Sequence, residues 1–237
     1  MDIGRAFSYV LEDEEWLTVI LLGGLILIVP IFGQIVLVGF VLEAARNVAA
    51  GQSRPLPKWN HLGETFGLGL PGIAIQIVYA LPLILLSVAF MCLGLLGSSL
   101  LAAADSASGP GGLILAAIFC LIPLTIVLSL IIQPLTIAAT VRYLQTGSLG
   151  GALQVGEAVR MVRSDLGGWL VLWLLQILCG IVGGIGGVFL GFGALFTTVY
   201  GQAVFGHLLG QTLARAMATA SDGPLPPPMS PPSPLSF

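Results

Sequence analysis

The sequence predicts an all-α integral membrane protein, with about six transmembrane or re-entrant helices in three hairpins and amphipathic helices at the interface. Three observations predict it. No Lys, Arg, Asp or Glu occurs between Trp16 and Leu42, between Thr65 and Ala104, between Ser106 and Val141, or between Leu166 and Ala214. Such runs can sit in hydrocarbon without the cost of burying charge. The chain is 57% hydrophobic and 8% charged, with mean hydropathy +1.04, whereas soluble domains carry roughly 25% charged residues. All eight Lys and Arg residues fall in four short stretches, at Arg5, Arg46 to Lys58, Arg142 to Arg163, and Arg215, as expected of loops gathered on one side of a bilayer.

The first element is a surface helix. Ile3, Phe7, Val10 and Leu11 share one helical face while Arg5, Ser8, Glu12 and Glu15 share the other. One Arg against the acidic run Glu12 to Glu15, with no small-residue cleavage site after it, is not a secretory signal. The run from Trp16 to Leu42 is too long for one upright span and short for two, since crossing roughly 30 Å of hydrocarbon takes about 20 residues. A single kinked helix there gives five spans in all. A tight turn at Pro30 to Gly33 gives a hairpin, with segments at about 16–30 and 31–48, and six.

An internal repeat favours the hairpin. The spacing Gly4-x-Ala6-Phe7-x-x-Val10-x-x-Asp13-x-x-Trp16 recurs as Gly156-x-Ala158-Val159-x-x-Val162-x-x-Asp165, with Trp169 following after one extra residue. In the second copy Gln154, Glu157, Arg160 and Ser164 oppose Leu149, Ala152, Leu153 and Val159. Each copy reads as an elbow on the membrane surface that meets an interfacial Trp before the chain turns inward. A third elbow is expected at Lys58 to Phe66, anchored by Trp59, after the extended segment Arg54 to Pro57.

The remaining elements follow from length and breakers. Segments at about 70–97 and 113–140 flank a turn-rich loop from Asp105 to Gly112, with Pro71, Pro82, Pro123 and Pro134 as kinks that neighbouring helices can tolerate. The run from Leu166 to Ala214 holds two crossings, about 167–184 and 188–213, joined by a turn at Gly183 to Gly187. Residues 1–218 form one membrane domain, and 219–237 a disordered, partly polyproline tail. Both termini are expected in the cytoplasm.

Function is less legible. A net charge of −3 without a dense basic run excludes nucleic acid as a partner. Cys92, Cys120 and Cys179 are widely spaced inside apolar runs, which is neither a disulfide nor a metal framework. Gly67 to Gly72 spells G-x-G-x-x-G, but the fingerprint needs a preceding strand, and these glycines open an apolar span. His207 is isolated, and Ser87, Ser129, Thr136 and Thr140 have no base nearby in sequence, so nucleophilic catalysis has no support. No catalytic, cofactor or metal residue is expected.

Two polar or small-residue patterns remain. Gly180, Gly183, Gly184, Gly187 and Gly191 form overlapping small-xxx-small pairs, as do Gly206 and Gly210, suited to close helix packing. Gln34, Gln76, Gln133, Gln176 and Gln202 lie within or at the margins of the apolar runs, and their amides need partners there. They act either as interhelical hydrogen bonds or, for Gln76, Gln133, Gln176 and Gln202 together with His207, as the lining of a polar cavity.

Phe7-Ser8-Tyr9 with Asp13 and Trp16, Leu56-Pro57-Lys58-Trp59-Asn60 followed by Phe66-Gly67-x-Gly69-Leu70, and Tyr200-Gly201 with His207-Leu208-Leu209-Gly210-Gln211 together resemble domain-of-unknown-function family 4013. The resemblance spans nearly the whole chain except the Pro-rich tail, and implies a prokaryotic multi-pass membrane protein with no established activity or cofactor. The function expected first is therefore non-catalytic, through packing against membrane lipids, other membrane proteins or a second copy. The alternative is a transporter or channel for an uncharged or amphiphilic solute.

Overall fold

The computed structural model describes residues 1–103, 109–188 and 192–221. The described residues are helical throughout, with no strand. The surface helix α1, Ile3–Glu12, is capped by the Asp2 side chain, which accepts from the Arg5 backbone N–H. Asp13 ends it, and α2 (Trp16–Ile26) and α3 (Phe32–Ala49) follow as a hairpin. The turn between them is a γ-turn: Phe32 N–H donates to the Pro30 carbonyl at 2.7 Å, and Ile31 takes φ 65°. A β-branched residue rarely adopts that conformation. Gly33 follows because a side chain there would run into the Ile26 carbonyl. The tight turn expected at Pro30 to Gly33 is therefore present. With 11 residues, α2 is about 16 Å long, half of a hydrocarbon core.

After α3 the chain returns past the α1–α2 junction. Arg54 and Lys58 form ion pairs with Glu14 and Glu15, each at 2.8 Å. The expected third elbow does not form. Trp59–His61 is a single 3-10 turn that runs straight into α4, Leu62–Ala103, because no helix breaker separates His61 from Leu62. Residues 104–108 of the expected Asp105–Gly112 loop lie outside the described residues, and α5, Gly109–Thr146, starts within its second half. Both long helices run through their prolines. At 42 and 38 residues, they are about 63 and 57 Å long, twice a hydrocarbon core. They pair with each other, and α4 also packs on α3.

The polar return segment contains α6, Leu149–Ala152, and the second elbow α7, Val155–Ser164. Asp165 caps α8, Leu166–Ile185, through the Gly168 N–H. A 3-10 turn at Gly186–Val188 ends it, so the helix continues through most of the expected Gly183–Gly187 turn, and α9 spans Gly193–Ser221. Gly191 and the tail from residue 222 lie outside the described residues. Four helices, or stretches of helix, are long and apolar enough to cross a membrane: Phe32–Ala49, Trp59–Gly97, Leu121–Thr146 and Leu166–Ile185.

The core is where α9 meets α2, α3 and α8. Close approach there uses Gly183, Gly206 and Gly210 of the expected glycines but not Gly180, Gly184 or Gly187. Gly180 and Gly184 face open space, and Gly187 has only ordinary contact with Ala194. Gly183 of α8 and Gly186 of the following 3-10 turn sit against α9, Gly201 sits over the Cys179 carbonyl, and Gly206 and Gly210 seat α9 on Ala44 and Val48 of α3. The contact stripe runs Leu172, Leu175, Cys179, Gly183. Gly180 and Gly184 are rotated out of it by one residue, about 100°. Between α3 and α4 the tightest contact is Gly39 against Thr65 and Gly69 against Ile35, backbone on backbone.

Trp59 and Trp169 are internal struts. Trp169 is buried and donates to the Met161 carbonyl at 3.0 Å, bracing α7 on α8. Trp59 stacks on Phe40 and donates to the Val19 carbonyl at 2.7 Å.

Candidate functional site

A cavity of about 370 Å³ opens between α3, α4, α5, α8 and α9, and five of the six glutamines of the charge-free runs line it: Gln34, Gln76, Gln133, Gln176 and Gln202. The sixth, Gln211, bonds Asp2 instead. Helical periodicity explains the convergence. On α3 the lining residues Gln34, Leu37, Val38, Val41 and Leu42 form one stripe, and on α4 Gly72, Gln76, Ala80 and Leu83 form another. A side chain at Gly72 would meet Val38 and Leu42, so its absence lets α4 close one end of the cavity against α3. From α5 come Gln133, Thr136 and Thr140, and α8 and α9 contribute Gln176, Gln202 and Phe205.

The hydrogen-bonding state of these groups sets what the cavity can hold. Thr136 and Thr140 donate along their own helix, to the carbonyls of Ile132 at 2.9 Å and Thr136 at 2.8 Å, so their oxygens are left as acceptors. Among the described residues none of the five carboxamides has a hydrogen-bond partner. Each amide offers two donors and an acceptor oxygen. Leaving such a group unpaired in an apolar medium costs on the order of 1–3 kcal/mol, which makes this lining a strong acceptor of any neutral polar group that enters. No lining residue carries a charge or titrates in the physiological range. Gln34 and Gln76 are exposed, whereas Gln133, Gln176 and Gln202 are half-buried. The cavity is thus open on the α3–α4 side and deepest towards α8 and α9.

His207 is not on this cavity. It lies on the far side of α9, its ring tilted against Tyr9 with centroids 4.5 Å apart and with Nδ1 within 3.1 Å of Gln211 Nε2. Two residues beyond Phe205 and five beyond Gln202, it is rotated from them by about 200° and 140° around α9, and a helical wheel with several polar positions does not say which faces inward. The glutamines expected in the cavity are Gln76, Gln133, Gln176 and Gln202 without Gln34, which in the structure lines the cavity with them. Among the described residues no group of three His, Cys, Asp or Glu could hold a metal ion. Cys179 is buried in the α8–α9 contact and Cys92 is exposed on α4.

The polar end of the molecule gathers the charges. Met1 shares a pocket with Arg142, Arg160 and Arg215, and Asp2 shares another with Arg5 and Arg54. The first residues lie beside the C-terminal half of α9, since the Asp2 N–H donates to Gln211 Oε1 at 2.7 Å. Arg142 joins α5 to α7 through Glu157 at 3.1 Å.

The family model described as "Protein of unknown function (DUF4013)" matches residues 22–192. That stretch includes Gln34, Gln76, Gln133 and Gln176. No curated protein and no solved structure matches the chain.

Proposed function

The chain belongs to the DUF4013 family, and we propose that it is a multi-pass protein of the cell membrane that binds an uncharged amphiphilic solute in the glutamine-lined cavity, to pass or present it without covalent chemistry. The observation that carries this reading is the convergence of five unpartnered amides on one cavity. A packing role, which composition alone favoured, would pair such amides between helices as hydrogen bonds. Here they face a shared space instead. Its volume lies at the lower end of the range for small-molecule sites, and its uncharged lining favours hydroxyl, carbonyl or amide groups over ions. The exposed Gln34 and Gln76 give the cavity a mouth between α3 and α4, through which a molecule with an apolar tail can enter from lipid.

Gathering of the basic residues with both ends of the described chain supports cytoplasmic termini under the positive-inside rule. The cavity holds no carboxylate or imidazole, so movement of the solute should follow its own gradient rather than a proton gradient. Native-lipid nanodisc purification with mass spectrometry of retained molecules tests the proposal. The wild type should retain an uncharged amphiphile that a Gln176→Leu/Gln202→Leu variant of equal thermal stability loses. Identical retained sets would sink it.

A further inference from the structure

A second cavity, of about 400 Å³, lies at the polar end between α1, the segment 51–56 and α9, separate from the glutamines. Asp2, Arg5, Tyr9 and Glu12 recur every three or four positions, and Asp13 stands four beyond Tyr9, which places them along one face of α1 and its caps that forms the cavity's long wall. The floor is buried: Tyr9, Asp13, Leu56 and His207 are each at most 5% exposed. Tyr9 is committed, since its hydroxyl donates to the Ala203 carbonyl at 2.7 Å, and burial raises its pKa, which keeps that proton in place.

Asp13 is not satisfied in the same way. Its Oδ1 accepts the Glu15 N–H at 2.9 Å, but Oδ2 is buried with no hydrogen-bond partner among the described residues. A buried carboxylate oxygen left unpaired is costly, and the group that relieves it best is a cation that can donate. The nearby cations are engaged elsewhere, Arg54 with Glu14 and Lys58 with Glu15. At the other end of the same wall, Arg5 makes no ion pair among the described residues. Arg5 on α1 and Asp13 at its C-terminal end stand eight residues apart, about 12 Å along the axis. The wall of one cavity therefore carries an anion-seeking group and a cation-seeking group.

We propose that this cavity binds a zwitterion made of a primary ammonium and a phosphate ester, the ammonium donating to Asp13 and the phosphate pairing with Arg5. The ammonium needs a donor-rich cation because Asp13 has a single free oxygen deep in the floor, and a phosphate suits the fork of a guanidinium. A metal ion does not fit, because no three ligating side chains come together there. The same chemistry is offered by a free phosphoethanolamine and by the head of an aminophospholipid.

The test uses the full-length protein. In detergent, titration calorimetry with phosphoethanolamine, ethanolamine and inorganic phosphate should show phosphoethanolamine binding at least about tenfold tighter than either half alone, as two charge-assisted contacts require. Asp13→Asn keeps the Oδ1 acceptor for Glu15, so the helix end survives, yet it should weaken phosphoethanolamine by about tenfold and leave phosphate unchanged. Arg5→Gln should weaken both phosphoethanolamine and phosphate. Nanodiscs then distinguish the sources: a thermal shift on moving from phosphatidylcholine to phosphatidylethanolamine marks the lipid head, whereas the same shift on adding phosphoethanolamine to phosphatidylcholine discs marks the free solute. Equal binding by wild type and Asp13→Asn, or no response to phosphoethanolamine and to phosphatidylethanolamine alike, overturns the proposal. Replacing the glutamines of the other cavity should leave this binding intact, so its failure and theirs are separable.

Discussion

At the scale of single residues, glycine position decides which helices touch. At Gly39 an added Cβ would strike the Thr65 carbonyl, and at Gly69 the Ile35 carbonyl. Both obstacles are backbone, which cannot rotate aside, so relief requires α3 and α4 to separate. Gly39→Ala should therefore lower stability by about 3 kcal/mol or more, read as a fall in detergent melting temperature. Gly184→Leu should be nearly neutral, because nothing lies within 4 Å of its Cβ direction. Equal losses at the two sites would contradict this packing. The sequence alone supports the opposite expectation for Gly184, since Gly180, Gly183, Gly184, Gly186 and Gly187 offer several stripes of similar spacing, and only the rotation of α8 against α9 selects one. The presence of a small-residue contact was legible; its register depends on tertiary packing that no local pattern records.

At the scale of elements, the first hairpin turns on strain. Ile31 is 76% exposed, so its side chain contributes little packing, while its φ of 65° is costly for a β-branched residue, on the order of 1–3 kcal/mol. Ile31→Gly should relieve that cost, partly offset by the greater freedom of glycine in the unfolded chain. A modest rise in melting temperature is expected, and a clear fall would mean that Ile31 is held by contacts absent from this structure. The turn itself was readable from Pro30 to Gly33, and the surface elbows from their repeated spacing and amphipathic faces, because period and breakers are local signals. The fusion of Trp59–His61 into α4 was not. A Trp after a polar segment marks an interface in many membrane chains, whereas here Phe40 and the Val19 carbonyl draw Trp59 inside.

At the scale of the whole molecule, charge distribution and cavity lining express one division. Charged side chains gather with the surface elbows at one end, and the apolar helices enclose a space whose only polar groups are neutral. Residue type was legible in this: five glutamines in charge-free runs mark sites that must find partners. Their meeting was not, because it depends on five helices turning particular stripes inward, and the same uncertainty misplaced His207. The most direct test of the account is thiol labelling in intact membranes with a small water-soluble reagent, in a background where Cys92, Cys120 and Cys179 are replaced. Gln176→Cys and Gln202→Cys should react, while Leu174→Cys, 56% exposed on the outer surface of α8, should stay protected by lipid. Inert cysteines at both glutamine positions, with labelling no faster than at Leu174, would contradict a polar cavity inside the membrane.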